Sequence, residues 1–311
     1  MTNPTISAVI CTYNRAKFLK DAIRSLCIQK NCSFFEILII DNNSTDETPD
    51  IIKSFSSRVS GFREIRQGLS YARNRAIKES RGAYIAFFDD DVIVPTQWLS
   101  RANEIIRLVA PGVFGGPNHV CFEETPPVWY RSSYAYIPKL GDEARYLNQK
   151  KEFLFGANIC FRRNLLIKLG GFDPQLGVKG AAIGCGEETQ LQIRICNEMP
   201  EEKIYYDPEL YVDHFTRKEE MSLGWIARKE FAYGRDNYFI CSFPAAISFF
   251  HLMVRFVRIG MCLFLDLYIG VLCRDKTLYP HFQNYYIEHS FVQLNRLGQL
   301  YRQLCDTFVA R

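Results

Sequence analysis

The stretch Ala86–Pro95, AFFDDDVIVP, sets three consecutive carboxylates between apolar runs. Ionised side chains are rarely buried without partners, and adjacent like charges repel. Asp89, Asp90 and Asp91 therefore form either a solvated turn or a seat for something positive. Two further polar clusters follow apolar runs: Thr12-Tyr13-Asn14 after ISAVIC (6–11), and Asp41-Asn42-Asn43 at the end of FEILIID (35–41). Carboxylates are the hard oxygen ligands that a divalent cation prefers. A cation and a ribose between them would let the three aspartates tolerate one another.

The elements that must position these residues alternate. ISAVIC, FEILIID and AYIAFFD (83–89) read as strands. AKFLKDAIRSLCIQ (16–29), DIIKSF after the capping loop DNNSTDETP, and SYARNRAIKESRG (70–82), ended by Gly82, read as helices, with FREIRQ short and extended. Strands alternating with helices imply an α/β fold with a mostly parallel central sheet, and a binding crevice at the carboxyl ends of its strands. All three polar clusters fall at such ends. A dinucleotide-binding fold would need Gly-x-Gly-x-x-Gly at the first strand–helix turn, but CTYNRAKF has no glycine, and no phosphate-binding P-loop follows.

The 311 residues have 48% hydrophobic and 23% charged content, which is ordinary for a globular chain. Eleven scattered cysteines without a CxxC pair argue for a reducing cytosol and against a zinc site or disulfide framework. Met1–Ser7 lacks the basic and apolar runs of a signal peptide. The net charge of +4 sits wholly in Thr216–Arg311, which hold 12 Lys/Arg against 8 Asp/Glu. Without a dense basic cluster, nucleic acid is excluded as a partner, and a weakly basic face toward an anionic membrane fits better.

The ordered set SAVICTYNRAKFLKDAIRSL, EILIIDNNSTDET, QGLSYARNRAIKESRGAYIAFFDDDVIVP, GANICFRRNLLIKLGGFDPQLG, GCGEETQLQIRI and DHFTR, spanning about residues 5–217, resembles the inverting glycosyltransferases of family 2. The resemblance implies a GT-A nucleotide-sugar-binding fold over residues 1–215, followed by a C-terminal helical region over 216–311. By resemblance, Thr12 and Tyr13 line the nucleotide base, Asp41 reads a base N–H, and Arg73 lies near the base and phosphates. Asp89 points to the ribose, Asp90 counts with the nucleotide-sugar contacts, and Asp91 and His214 hold Mg²⁺ or Mn²⁺. Gly186-Glu187-Glu188 stands where the family often has Gly-Glu-Asp. The catalytic base therefore falls on Glu188, with Glu187 as the neighbouring candidate.

These residue types suit a sugar transfer with inversion from a nucleotide-diphosphate donor. A helix-start carboxylate stays ionised beside the dipole and can take the acceptor's proton. The glycine-rich GVKGAAIGCG before it reads as a mobile lid. A glycan or lipid-linked acceptor is implied, at the inner, cytoplasmic face of the membrane. The other readings are a catalytically silent nucleotide-sugar binder or scaffold of the same fold and, more remotely, a nucleotidyltransferase. Five aromatic residues from Phe122 to Tyr136 could stack on acceptor sugars or simply pack. In the tail, GWIARKEFAYGRDNYFI reads as an amphipathic helix, Asn237–Val254 is uncharged, and Ile259–Cys273 is apolar except for Asp266. Pro244, His251, Arg255 and Arg258 interrupt a span of about 20 apolar residues. Helices lying on the membrane, a buried or oligomeric helical pair, and insertion all remain open at this point.

Overall fold

Helical periodicity between strand-length apolar runs folds as the alternation requires. The computed structural model describes residues 3–32, 34–135, 140–240 and 249–309. Tyr136, and residues 241–248 with Pro244, lie outside the described residues. The chain divides into two compact units. One comprises Met1–Cys121, Tyr136–Ala181 and Glu187–Phe215, and the other Phe122–Ala135, Ala182–Gly186 and Thr216–Arg311.

The chain opens with β1 (Ile6–Thr12), α1 (Ala16–Cys27), β2 (Phe35–Asp41), α2 (Thr48–Ser54), β3 (Ser60–Arg63), α3 (Leu69–Glu79) and β4 (Tyr84–Phe88). It continues with β5 (Val92–Ile93), α4 (Trp98–Leu108), β6 (Val113–Gly115), β7 (Asn118–Phe122), β8 (Arg145–Tyr146) and β9 (Asn158–Arg162). α5 (Arg163–Lys168), α6 (Glu187–Glu198), β10 (Ile204–Tyr206) and β11 (Val212–Thr216) follow. The central sheet has the order β3-β2-β1-β4-β9-β6-β10-β8, and a small sheet has the order β5-β11-β7. β3, β2, β1 and β4 are parallel, as are β6 and β10, while β9 runs antiparallel between β4 and β6.

Strands buried on both faces read as unbroken apolar runs. Along β1, Ala8 and Ile10 join Leu19, Ile23 and Leu26 of α1 and Trp98 and Leu99 of α4. Val9, pointing the other way, joins Ala72 and Ala76 of α3 and Leu191 and Ile195 of α6. Each such side chain, taken wholly out of water, contributes about 1.5–3 kcal/mol. α3 stops at Glu79, three residues before Gly82, with Ser80 already extended. Gly82 has a different task from the expected helix stop: a Cβ there would lie 2.6 Å from the Ser7 nitrogen, so it permits close approach to β1.

In the second unit, α7 (Leu223–Ile240) packs on α10 (Phe291–Val309), and α8 (Phe249–Tyr268) runs on through a π-helical turn, Ile269–Cys273. α9 (Phe282–Tyr285) lies between α8 and α10 along the chain. The expected interruption at Arg255 and Arg258 does not occur. Arginine is a good helix former, and both side chains reach solvent, so the helix passes through them. Phe250–Cys273 is a 24-residue helix of mean hydropathy 1.9, long and apolar enough to cross a membrane, with 11% of its apolar window buried. Leu252 and Ile259 pack with Leu300, whereas Phe250, Phe256, Met261, Phe264 and Leu272 are exposed.

Within the same unit, the loop Phe122–Ala135 is tied to the C-terminal helices. Asn284 Nδ2 donates to Trp129 O at 2.6 Å, and Arg131 pairs with Glu288 at 2.6 Å. Phe122, Tyr130 and Tyr134 meet edge to face, with centroids 5.7–6.0 Å apart, so these rings pack on one another.

Candidate active site

The parallel register sets Thr12 opposite Asp41 and Ile10 opposite Phe88. The polar ends of β1, β2 and β4 therefore finish along one edge of the sheet. Asp41 is nearly buried, and its Oδ1 accepts the Ser44 N–H at 2.8 Å. Asn14 and Asn43 turn the chain at positive φ (52° and 66°), which short polar side chains tolerate. Asn14 Oδ1 accepts the Thr45 N–H at 2.8 Å, joining the two turns. Thr12 is buried and Tyr13 half-buried at this edge.

β4 delivers the aspartates, and the small sheet brings a histidine to them. Pairing of β11 with β5 sets His214 opposite Val92, and Phe215 N–H donates to Asp91 O at 3.0 Å. His214 Nε2 then lies 3.2 Å from Asp91 Oδ1. One ligand atom from each of Asp89, Asp91 and His214 fits within 4.8 Å. Two carboxylates and an imidazole at that spacing form a donor set for a hard divalent cation. Asp90 is nearly buried, and burial together with the adjacent Asp91 pushes its carboxyl up to about 8.

Arg73 is buried, with a 4% exposed side chain, and it bridges two groups. Its Nη1 lies 2.8 Å from Glu187 Oε1, and its Nη2 lies 3.8 Å from Asp89 Oδ1. The guanidinium also rests 5.3 Å from the centroid of the Phe172 ring. Two glycines make room for this pair. A Cβ on Gly156 would stand 2.6 Å from Arg73 Nη2, and one on Gly177 would stand 3.0 Å from the Glu187 carboxyl. Burial, then Glu188, pushes the Glu187 carboxyl up to about 8 against the pull of Arg73. Glu188, on the first turn of α6, is partly exposed, but its Oε2 is buried and, like Glu187 Oε2, has no hydrogen-bond partner among the described residues.

Sequence reasoning missed what stiffens this arrangement. Asn158 is fully buried, accepts from Trp98 Nε1–H at 3.0 Å and donates to Leu210 O at 2.7 Å. Gln192 holds both the N–H and the carbonyl of Leu154 (2.8 and 2.9 Å). Asn42 accepts the Gly68 N–H at 2.8 Å, fixing the start of α3. The Arg73–Glu187 pair left one readable trace: Arg73 falls in the buried stripe of α3 with Ala72, Ala76 and Ile77. A charge in such a stripe requires a buried partner.

Comparison with known proteins agrees with the fold and the motif order. The family model described as glycosyl transferase family 2 matches residues 7–170, over half of the chain. The chain is 22% identical over 241 residues to the glucosyl-dolichyl phosphate glucuronosyltransferase of Haloferax volcanii, covering 74% of this chain and 75% of that one. It is 26% identical to the succinoglycan biosynthesis protein ExoM of Rhizobium meliloti, covering 76% of each. Its fold is similar to that of the mannosyltransferase PcManGT of Pyrobaculum calidifontis, solved with GDP-Man and Mn²⁺ (TM-score 0.64, 16% identity, 98% of this chain and 88% of that one). It is also similar to residues 1–349 of S. aureus TarS with UDP-GlcNAc (TM-score 0.53, 15% identity, 96% of this chain and 89% of that one). The alternating sheet, the edge where its polar strand ends meet and the matched family model lead to one assignment: this chain is a glycosyltransferase of family 2, with the GT-A nucleotide-sugar-binding fold.

Proposed function

We propose that this enzyme transfers a hexosyl group, with inversion, from a nucleotide-diphosphate sugar to a hydroxyl of a glycan or lipid-linked acceptor. The observation that carries the reading is the bridge from Glu187 through buried Arg73 to Asp89. It ties the carboxylate pair of α6 to the aspartates at the end of β4. Thr12, Tyr13 and Asp41 bind the nucleoside, and Asp89 and Asp90 face the ribose and sugar. Asp91 and His214, with Asp89 in reach, would hold Mg²⁺ or Mn²⁺. When bound, the metal neutralises charge on the diphosphate as a Lewis acid.

Glu188 is the general base. Glu187 cannot serve easily, because Arg73 and the Gly177 backbone enclose it. Glu188 takes the proton from the acceptor hydroxyl, whose oxygen forms the new bond to the anomeric carbon. The bond to the diphosphate oxygen breaks on the opposite face, and the diphosphate leaves with the electron pair. Arg73 holds Glu187 in place and offsets the negative charge that Asp89 and the glutamates concentrate here.

Residues 1–215 form the catalytic domain in this reading, and residues 216–311 dock it on the cytoplasmic face of a membrane. The exposed apolar residues of α8 support the docking. So do Arg255 and Arg258, which are exposed. Assaying a panel of nucleotide sugars for hydrolysis with Mn²⁺ and with a chelator tests the donor reading. One donor should be hydrolysed faster than the rest, and only with metal. Equal, metal-independent turnover of all donors would contradict it.

A further inference from the structure

We infer that α8 does not meet the membrane alone: two exposed tips, one at Pro127 and Val128 and the other at Leu278 and Phe282, enter the lipid beside its C-terminal end. This rests on the membrane-docking reading of α8 and extends it to two further segments. Both tips and α8 belong to the second unit.

Val271 and Leu272, at the end of the long apolar helix, are exposed. Arg274 then folds the chain back on that end. Its Nη1 donates to Gly270 O at 2.8 Å, its Nε to Tyr279 O at 2.9 Å and its Nη2 to Pro280 O at 3.2 Å. The returning segment leaves Leu278 63% exposed. Arg131 reaches it from the loop Phe122–Ala135, its Nη2 donating to Leu278 O at 2.9 Å. In that loop Pro127 is exposed, and Val128 is 90% exposed. Two arginines thus tie three apolar tips together through backbone carbonyls.

The hydrogen bonding of these segments favours lipid as their partner. The Leu278 N–H donates to Asp275 Oδ1 at 3.3 Å and the Tyr279 N–H to Asp275 O at 2.8 Å, while the arginines take both carbonyls. Pro280 has no N–H, and Arg274 holds its carbonyl. Pro126 and Pro127 have no N–H either. Pro127 O accepts the Tyr130 N–H at 2.8 Å, and Trp129 O accepts from Asn284 Nδ2 at 2.6 Å. The irregular backbone behind Leu278 and Val128 therefore asks little of the medium around it. Hydrocarbon offers no hydrogen-bond partners, so backbone that meets it must be satisfied within the chain. Water or a second protein would supply partners and impose no such demand. Charge points the same way, since Arg255 and Arg258 are exposed on α8 and the last third holds the whole net +4. Anionic headgroups attract such a surface.

The test uses the full chain and vesicles of equal parts phosphatidylcholine and phosphatidylglycerol. Val128→Asp and Leu278→Asp should each weaken vesicle binding by about tenfold, the scale of one apolar side chain left in water. Both side chains are exposed, so the fold should stand, and donor hydrolysis without vesicles should match the wild type. Val128→Trp adds a reporter whose extra emission should be quenched when the acyl chains of the vesicles carry bromine. Wild-type binding in both Asp variants would overturn the inference, and so would a reporter that stays unquenched on bound protein. Phe264→Asp, on an exposed position of α8, is run beside them. If it loses vesicle binding while the tip variants do not, the inference alone fails. If the wild type does not bind vesicles, or dimerises instead, the docking reading fails and the inference with it.

Discussion

Arg73 and Glu187 illustrate what burial does to single residues. Neither side chain reaches water, so removing one leaves the polar atoms of the other unpaired. Breaking such a pair typically costs about 3–5 kcal/mol, whereas replacing both members by apolar groups is often close to neutral. Arg73→Met should therefore destabilise the fold by about that amount in urea denaturation. Adding Glu187→Leu should recover part of the loss, and a double variant less stable than both singles would contradict the pairing. Asp90 gives a pH signature of its own. Its folded carboxyl titrates at about 8, far above the usual value near 4. Between those values the folded protein keeps a proton that the unfolded chain has released, so stability falls as pH rises through that window. Glu187 contributes with the same sign. Asp90→Asn should flatten the fall, measured by denaturation from pH 5 to 9 without added metal. An unchanged slope would show that Asp90 titrates normally.

At the scale of elements, glycines and short strands set the active site. A methyl on Gly156 would meet Arg73 Nη2 at 2.6 Å. Overpacking of that kind typically costs about 1–3 kcal/mol. Gly156→Ala should lower the thermal midpoint and slow transfer by displacing Arg73, and normal turnover with an unshifted midpoint would count against the bridge. The first half of the central sheet was legible because its strands alternate with helices and are buried on both faces, which leaves unbroken apolar runs between turn residues. The two-residue strand β5 and its pairing with β11 were not legible, since nothing local in VDHFT says which distant strand it joins. Only that pairing brings His214 to Asp91. Gly82 misled for a related reason: a glycine needed for close backbone approach looks the same in sequence as one that ends a helix. Arg73 was named with a role near the nucleotide, but its burial against Glu187 depends on α6, more than a hundred residues away.

At the scale of the whole molecule, the net positive charge and the long exposed apolar helix both fall in the C-terminal third. The apolar run after Ile259 was readable, but its fusion with the arginine-bearing turns into one helix was not, because exposed arginines break apolarity without breaking helicity. The full chain should sediment with anionic liposomes and lose part of that binding as salt rises, since screening acts over about 8–10 Å at physiological ionic strength. Arg255→Glu with Arg258→Glu should weaken the binding to anionic but not to neutral liposomes. A chain that ignores liposomes and dimerises instead would assign the exposed face of α8 to a second copy.

The central claim is that Glu188 removes the acceptor's proton in a nucleotide-sugar transfer. Glu188→Gln keeps the size and most of the hydrogen bonding of the side chain but cannot accept that proton. Its single-turnover rate with the preferred donor should fall by about 10²–10⁴-fold, the usual contribution of general-base catalysis. Donor and Mn²⁺ affinity, which the proposal assigns to Asp41, Asp89 and Asp91, should stay nearly unchanged. A Glu188→Gln enzyme that transfers at the wild-type rate, with Glu187→Gln as the one that fails, would contradict the account and move the base to Glu187.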